Sequence, residues 1–292
     1  MKIAAFDIGG TSLKMASVLS DGNIVAQQSA AVGDSDGEQI MQQILAWLKQ
    51  QPDCHGIAVS APGHVNPFSG LISMGGAIRR FDNFNLKAWL QQETGLPVSI
   101  ENDANCVLLA EKWLGKARDL QDFLCLTIGT GIGGGIYANG DVVRGGRFRA
   151  GEFGYMFNER PGANPPNSYT MNKVCTLKVL RERYAELTQQ SWENVSGEEI
   201  FAGFDNNNAQ CVRLVNAFYD DICVGLYNLI NIFDPTHIFI GGGITSRTGF
   251  INELLSHMSW FGQRDTIIDC ATHKNDAGLL GATWHFINQQ RI

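Results

Sequence analysis

Three hydrophobic strands of this chain each run into a cluster of glycines, and this pattern restricts the possible folds more than any other feature. The clusters lie at Asp7 to Thr11, Thr127 to Gly135 and Ile240 to Gly243. Glycine lets the main chain take positive φ and approach a ligand closely, so that successive N–H groups can converge on phosphate oxygens. One such turn would be a weak indication. Three in one chain predict an α/β protein with a nucleotide site.

The middle cluster also matches G-x-G-x-x-G at Gly129, Gly131 and Gly134, the pattern of dinucleotide-binding folds. That fold requires a helix to begin after the glycines. Residues 135–143 instead indicate a strand, an Asn139-Gly140 turn and a second strand. A β-hairpin is therefore predicted, with phosphates held by hairpin turns, and a dehydrogenase is disfavoured.

Strand and helix signals alternate through the chain, and its 292 residues favour two domains with a cleft between them. We predict a small α/β lobe at residues 1–117 and a large α/β lobe at residues 118–276. A final helix at 277–292 is predicted to pack back on the small lobe. A single long helix is expected at 171–187 and another at 208–232.

The net charge of −7 argues against a nucleic-acid or acidic-membrane partner, because such surfaces need a positive field. No apolar run reaches the length that spans a bilayer, and no leader-like segment precedes the first strand. The seven cysteines lie mostly within hydrophobic runs and contain no C-x-x-C, which predicts reduced thiols in a cytoplasmic protein.

Asp103 lies where a strand at 98–101 gives way to a helix at 104–114. At that position a carboxylate beside helix N–H groups stays ionised and can accept a proton. The alternative is that Asn102 or Asp103 only caps the helix. The local pattern leaves both possibilities open.

Five segments, in order over nearly the whole chain, resemble the motifs of the ROK family of sugar kinases and repressors. They are the first phosphate motif at 7–14, the catalytic motif at 101–105, the second phosphate motif at 127–136, the sugar-binding segment at 150–155 and the adenine and ribose motif at 241–244. The resemblance implies the actin-like ATPase (ribonuclease H-like) fold, with two lobes, mixed sheets and a central cleft. It also implies ATP, Mg²⁺ and a sugar as ligands, and family habit implies a homodimer.

The resemblance assigns roles residue by residue. Asp103 is the implied catalytic base, and Asp7 is implied to hold Mg²⁺ through water, although a turn-forming role remains the alternative for Asp7. The implied nucleotide contacts are Asp7, Gly9, Gly10, Thr11, Lys14, Thr130, Gly131, Ile132, Gly133, Gly242 and Gly243. The implied sugar contacts are Gly76, Asn102, Asp103, Glu152 and Tyr155.

The chain departs from the family at two points. Tyr155 replaces a histidine, and no cysteine lies between it and Cys175, so the structural zinc site of many members is not predicted. Met171 is assigned to a position where the family has a glutamate that contacts the anomeric hydroxyl. Loss of both ligands for a free reducing end favours an acceptor that is substituted at C1.

The segments 74–84 and 171–180 resemble the branch of the family that phosphorylates the 6-hydroxyl of the non-reducing glucose in β-glucosides such as cellobiose. A glucokinase or another hexose kinase of the family is the alternative. A sugar-sensing repressor is disfavoured, because its winged helix-turn-helix would precede the kinase-like part, and Asp7 stands close to Met1.

Overall fold

The computed structural model describes residues 1–33, 36–262 and 265–290. The chain divides into two compact units. The first contains residues 1–121, 135–150 and 271–292, and the second contains residues 122–134 and 151–270. This division differs from the predicted lobes, because residues 135–150 and 271–276 return to the first unit. Arg144 bonds Glu101, and Thr272 bonds Glu111, all within that unit.

In the described ranges the strands form three sheets. The strands are β1 (Lys2–Ile8), β2 (Ser12–Leu19), β3 (Ile24–Ala31), β4 (Ile57–Ala61), β5 (His64–Val65), β6 (Leu71–Met74), β7 (Phe84–Asn85), β8 (Val98–Asn102), β9 (Phe123–Ile128), β10 (Ile132–Ala138), β11 (Asp141–Val142), β12 (His237–Gly241) and β13 (Ile267–Cys270). The sheet orders are β3-β2-β1-β4-β8, β11-β10-β9-β12-β13 and β5-β6-β7.

The α-helices in the same ranges are α1 (Gly37–Lys49), α2 (Leu86–Thr94), α3 (Asp103–Leu114), α4 (Met171–Val174), α5 (Leu177–Thr188), α6 (Gly197–Asp205), α7 (Ala209–Phe233), α8 (Phe250–Met258) and α9 (Ala277–Gln289). No helix within the described part of the chain combines the length and apolar character needed to cross a bilayer.

The sheet of the first unit sets three polar residues side by side. Strands β1, β4 and β8 are parallel, and their register pairs Asp7 with Ser60 and Ser60 with Glu101. Because the carboxyl ends of neighbouring parallel strands meet at one edge of a sheet, the first glycine turn and the turn before α3 lie at the same edge. This is where binding sites of parallel sheets form.

Helix α9 packs against α3 and the main sheet of the first unit. The approach is very close, because a Cβ added to Gly281 would lie 1.7 Å from the carbonyl oxygen of Cys106. Two apolar layers cover the sheet, one built around Phe6, Ile40 and Phe81 and the other around Leu279 and Leu280.

The second glycine cluster leads into a hairpin and not into a helix. Strand β10 begins within the cluster, at Ile132, and contains its last three glycines. Asn139 and Gly140 then take φ values of 52° and 81°, the pair of positive values that a tight hairpin turn requires. The predicted hairpin is confirmed. The helix predicted at 171–187 is interrupted, because α4 ends before Cys175 and the side chain of Thr176 caps α5 by accepting from Val179 N at 3.2 Å.

Candidate active site

Asp103 is the first residue of α3 and follows β8 directly. The helix cap is Asn102, whose Oδ1 accepts hydrogen bonds from Ala104 N at 3.0 Å and Asn105 N at 3.1 Å. The Asn102 amide also donates from Nδ2 to Asp103 Oδ1 at 3.0 Å, and Asp103 is exposed. Because Asn102 performs the capping, the Asp103 carboxylate stays at the surface in a fixed orientation.

Glu101 supports this turn from inside the first unit. It is 1% exposed, and its Oε1 accepts from Asn102 N at 2.9 Å and from Asn105 Nδ2 at 3.1 Å. Its Oε2 accepts from both Nε and Nη2 of Arg144 at 2.9 Å. A buried carboxylate is tolerated only when it is paired and hydrogen-bonded. Sequence reasoning missed this pair, although a charge within an apolar strand is a signal for a buried partner.

In the first glycine turn, Asp7 is held by two donors. Ser60 Oγ donates to its Oδ1 at 2.7 Å, and Lys14 Nζ donates to its Oδ2 at 3.0 Å. The carboxylate lies over the start of α9, where a Cβ on Gly278 would approach within 2.4 Å of it. The turn itself closes through Gly9 N, which donates to Ser12 O at 2.9 Å. Asp7 and Lys14, both assigned to the nucleotide, therefore contact each other.

The first unit also gathers the predicted sugar contact Gly76. An added Cβ on Gly76 would lie 3.5 Å from Gly63 N, and Asn102 Nδ2 donates to Gly63 O at 2.9 Å. A Cβ on Gly10 would lie 3.1 Å from the Cβ of Ala77. The first phosphate turn, Gly76 and the Asn102-Asp103 turn are thus neighbours within one unit.

In the second unit, the glycine turn after β9 is closed by a side chain that sequence reasoning missed. Asn172 Oδ1 accepts from Ile132 N at 2.7 Å, while Gly129 N donates to Gly131 O at 3.0 Å. Thr130 and Gly131 are exposed at the tip of this turn. Their backbone is therefore accessible to a phosphate.

Asn172 also contacts the predicted sugar-binding segment of the same unit. An added Cβ on Gly154 would meet Asn172 Nδ2 at 2.3 Å, and Gly154 lies between Glu152, which is half-buried, and Tyr155, which is 57% exposed. The side chain of Asn172 thus links the phosphate turn to the turn that carries Glu152 and Tyr155.

Met171, which the sequence analysis assigns to the position of a sugar-binding glutamate, contributes no ligand to a sugar site. Met171 is 0% exposed, and its side chain packs against Gly225 of α7, where an added Cβ would lie 2.3 Å from the Met171 Cε. An apolar side chain in the core cannot line a sugar site. Counting four residues back from Thr176 gives Asn172, the neighbour whose side chain faces the glycine turn.

The third glycine cluster borders a cavity of about 380 Å³ in the second unit. Gly242 has φ of 88°, and a Cβ there would lie 2.4 Å from Ile128 O, so only glycine fits. The lining residues include Leu177, Glu198, Phe201, Gly243, Ile244 and Arg247. The volume and the mixed aromatic and polar lining suit a nucleobase with its ribose.

One wall of this cavity is stiffened by an ion-pair network. Arg247 bonds Asp205 at 2.6 Å and Glu253 at 2.6 Å, and its guanidinium lies 4.6 Å from the centre of the Phe201 ring. Hydrogen bonds from Arg247 to Glu253 and Asp205 raise the pKa of Arg247, so the cation is permanent. Tyr219 in turn donates to Glu253, and burial raises the pKa of Tyr219.

The chain is similar to known proteins over nearly its whole length. The model of the ROK family matches residues 3–289. A β-glucoside kinase of Listeria monocytogenes is 67% identical over 290 residues, covering 99% of each chain. A β-glucoside kinase of Klebsiella pneumoniae is 56% identical over 286 residues, covering 98% of this chain and 96% of that one.

A solved structure from Listeria monocytogenes, described as a candidate N-acetylmannosamine kinase, is 66% identical and superposes with a TM-score of 0.97. It covers 99% of this chain and is itself covered over 100% of its length. The predicted resemblance and the actin-like α/β fold are confirmed.

Proposed function

Because the chain belongs to the ROK family, we propose that it is an ATP-dependent kinase that phosphorylates the 6-hydroxyl of the non-reducing glucose in β-glucosides such as cellobiose. The observation that carries this proposal is the Asp103 carboxylate, which lies exposed at the start of α3 while Asn102 does the capping. Two relatives above 50% identity that are named β-glucoside kinases support the choice of acceptor.

In the proposed reaction, Asp103 accepts the proton of the 6-hydroxyl while the oxygen of that hydroxyl attacks the γ-phosphorus of ATP. The new O–P bond forms while the bond between the γ-phosphorus and the bridging oxygen breaks, and ADP leaves with that electron pair. Such transfer depends on alignment and charge neutralisation more than on covalent help from the protein. Two groups donate hydrogen bonds to Asp103 Oδ1, namely Asn102 Nδ2 and Ala104 N. These bonds hold the base in one orientation.

The residues near Asp7 fit a magnesium ion bound through water. Among the described residues, Ser60 donates to one oxygen of the Asp7 carboxylate and Lys14 donates to the other, so both oxygens retain acceptor capacity, and the side chain is 16% exposed. Bound Mg²⁺ would neutralise charge on the phosphate oxygens. Lys14, which lies in β2 at 3.0 Å from Asp7, supplies a second cation beside the turn.

We assign the phosphates of ATP to the backbone of two turns. One turn contains Gly9, Gly10 and Thr11, and the other contains Thr130, Gly131, Ile132 and Gly133. The base and ribose are assigned to the cavity behind Gly242 and Gly243. For the acceptor, Gly76, Asn102, Glu152 and Tyr155 are the proposed sugar contacts. A carboxylate such as Glu152 suits a pair of neighbouring hydroxyls, because it accepts from both.

An acceptor series with coupled detection of ADP tests the proposal. Purified protein with ATP and Mg²⁺ is expected to give a higher kcat/KM for cellobiose and methyl β-glucoside than for glucose or N-acetylmannosamine, and NMR of the product should show phosphate on O6. A clear preference for glucose would establish the hexose kinase alternative. Sugar binding without any ADP release would establish a regulator.

We further propose that the chain acts as a cytoplasmic homodimer, as family habit suggests. Light scattering of the purified protein measures this directly: a mass near twice 32.0 kDa is expected.

A further inference from the structure

An exposed phenyl ring is held on an ordered turn of the first unit. Phe68 lies between β5 and β6 and is 68% exposed. Asn66 Oδ1 accepts from Phe68 N at 3.0 Å and from Ser69 N at 3.2 Å, and Lys87 Nζ donates to Phe68 O at 3.2 Å. The ring is therefore presented to solvent by a well-bonded backbone and not by a loose loop.

A second ring, that of Phe148, meets Phe68 at an angle. The ring centres are 6.1 Å apart and the planes are inclined by 62°. Phe148 has φ of 57°, a conformation that a bulky side chain rarely adopts. The strain is maintained by a closed loop in which Phe148 N donates to Gly145 O at 3.3 Å and Ala150 N donates to Arg144 O at 3.1 Å. Strained residues of this kind concentrate at ligand sites.

The aromatic pair lies beside the turn that carries the proposed base. The guanidinium of Arg144 lies 6.0 Å from the centre of the Phe68 ring, and the same group bonds Glu101 at 2.9 Å. Glu101 in turn accepts from Asn102 N, next to Asp103. A continuous set of contacts thus leads from the two rings to Asp103 within one unit.

We propose that Phe68 and Phe148 form a subsite for the aglycone ring of the acceptor, an inference that rests on the proposed function. Pyranose rings present apolar C–H faces and aryl aglycones present π faces, and both stack on aromatic side chains. In a β-glucoside, C1 and C5 flank the ring oxygen, and C5 carries the 6-hydroxymethyl group, so the C1 substituent of an acceptor whose 6-hydroxyl faces Asp103 lies on the same side of the glucose ring as that hydroxyl. Arg144 covers one side of the Phe68 ring. The Phe68 side chain is 68% exposed, which leaves surface for an aglycone ring.

A neutral glycoside fits this surface better than a second copy of the chain. Arg147 and Arg149 are exposed on either side of Phe148 in the sequence. A two-fold contact through Phe148 would bring these cations together, and like charges in an interface oppose association. Two aromatic side chains are also far smaller than the area of about 800 Å² per partner that a stable interface buries.

The test compares acceptors that differ only in the aglycone. We measure kcat/KM for cellobiose, phenyl β-glucoside and methyl β-glucoside in wild type, Phe68→Ala and Phe148→Ala. The values for cellobiose and for phenyl β-glucoside are each divided by the value for methyl β-glucoside to give an aglycone ratio. We expect this ratio to fall about 10-fold in each variant, mainly through KM, because stacking contributes equally to ground and transition states. Phe68→Trp should retain a ratio near that of wild type.

Trp260→Ala is the matched control, since Trp260 is an exposed aromatic residue, 86% accessible, in the other unit. Its ratio is expected to equal that of wild type. An unchanged ratio in Phe68→Ala and Phe148→Ala, in an enzyme that does phosphorylate β-glucosides, overturns the subsite and leaves the proposed function intact. If light scattering gives these variants half the mass of wild type while the ratio is unchanged, Phe68 and Phe148 belong to a dimer contact instead. Failure of wild type to use any β-glucoside overturns both.

Discussion

Arg144 binds Glu101 through two nitrogens of its guanidinium, both 2.9 Å from Glu101 Oε2. The pair ties the segment that follows β11 to the residue before the Asn102-Asp103 turn. Because Glu101 is buried and also accepts from Asn102 N, its position sets the position of the backbone that carries the proposed base.

Replacing Arg144 by Met should destabilise the protein strongly. The buried carboxylate of Glu101 would lose its cation, and breaking a buried pair costs about 3 to 5 kcal/mol. The double variant Glu101→Gln with Arg144→Met should recover part of this loss. Urea denaturation measures both free energies of unfolding. Lys178→Met, which removes an exposed pair with Glu182 at 3.6 Å, is the control and should change stability by about 0.5 kcal/mol or less. An equal loss of stability in Arg144→Met and in the control Lys178→Met would contradict the prediction.

Asp103→Asn should reduce kcat by about 100-fold or more, because the amide cannot accept the hydroxyl proton. Its melting temperature should stay near that of wild type, because the cap of α3 is Asn102 and not Asp103. Asn102→Ala should behave differently and lose about 1 kcal/mol of stability with its cap. Normal turnover by Asp103→Asn would remove this residue from the mechanism.

Gly131→Val should weaken ATP without unfolding the protein. Among the described residues, only Asn172 Oδ1 lies within 4 Å of an added Cβ on Gly131, at 3.5 Å, so the protein itself accommodates the branch point. The side chain would instead obstruct the approach of a phosphate to the backbone. A rise in the KM for ATP of about 10-fold is expected, with Gly33→Ala as a glycine control outside the site. An unaltered KM would show that the phosphates bind elsewhere.

Two substitutions at Asn172 should separate its structural and electrostatic effects. Asn172→Ala leaves Ile132 N without its acceptor, which should cost about 1 to 3 kcal/mol of stability. Asn172→Asp keeps an acceptor oxygen but adds a negative charge beside the turn, so stability should be retained while the KM for ATP rises. Thermal melting and ATP titrations in the same buffer distinguish the two. Equal behaviour of both variants would contradict this view.

His285 should make stability depend on pH. Burial lowers its pKa, with Arg144 and Lys87 acting in the same direction and Glu101 opposing them. Gln289 Nε2 donates to His285 Nε2 at 3.0 Å, which requires that nitrogen to be unprotonated. The unfolded chain therefore binds a proton more readily, and the free energy of unfolding should decrease as pH falls below about 6.5. His285→Gln should show a smaller decrease between pH 7.5 and 5.5 in urea titrations.

Features encoded in neighbouring residues could be predicted from the sequence. The Asn139-Gly140 hairpin, the turn of strand into helix at Asp103 and the closely bonded turn at Gly9 all follow from local steric rules. The break between α4 and α5 was missed, because Thr176 acts as a cap inside a pattern that otherwise continues as helix.

Features that depend on residues far apart in sequence could not be predicted. The Glu101 to Arg144 pair and the Asn172 to Ile132 bond join segments about 40 residues apart. Neither partner carries a local mark of the other. The same limitation explains why residues 135–150 were assigned to the large lobe although they pack in the first unit.

The first unit is assembled from segments that are far apart in the sequence, and its helix α9 follows the whole of the second unit and packs directly on α3. During synthesis the ribosome therefore releases the whole of the second unit before the helix that completes the first. The layer beneath the proposed base stays unfinished until α9 has been made, so a chain stopped before α9 has no closed core around α3.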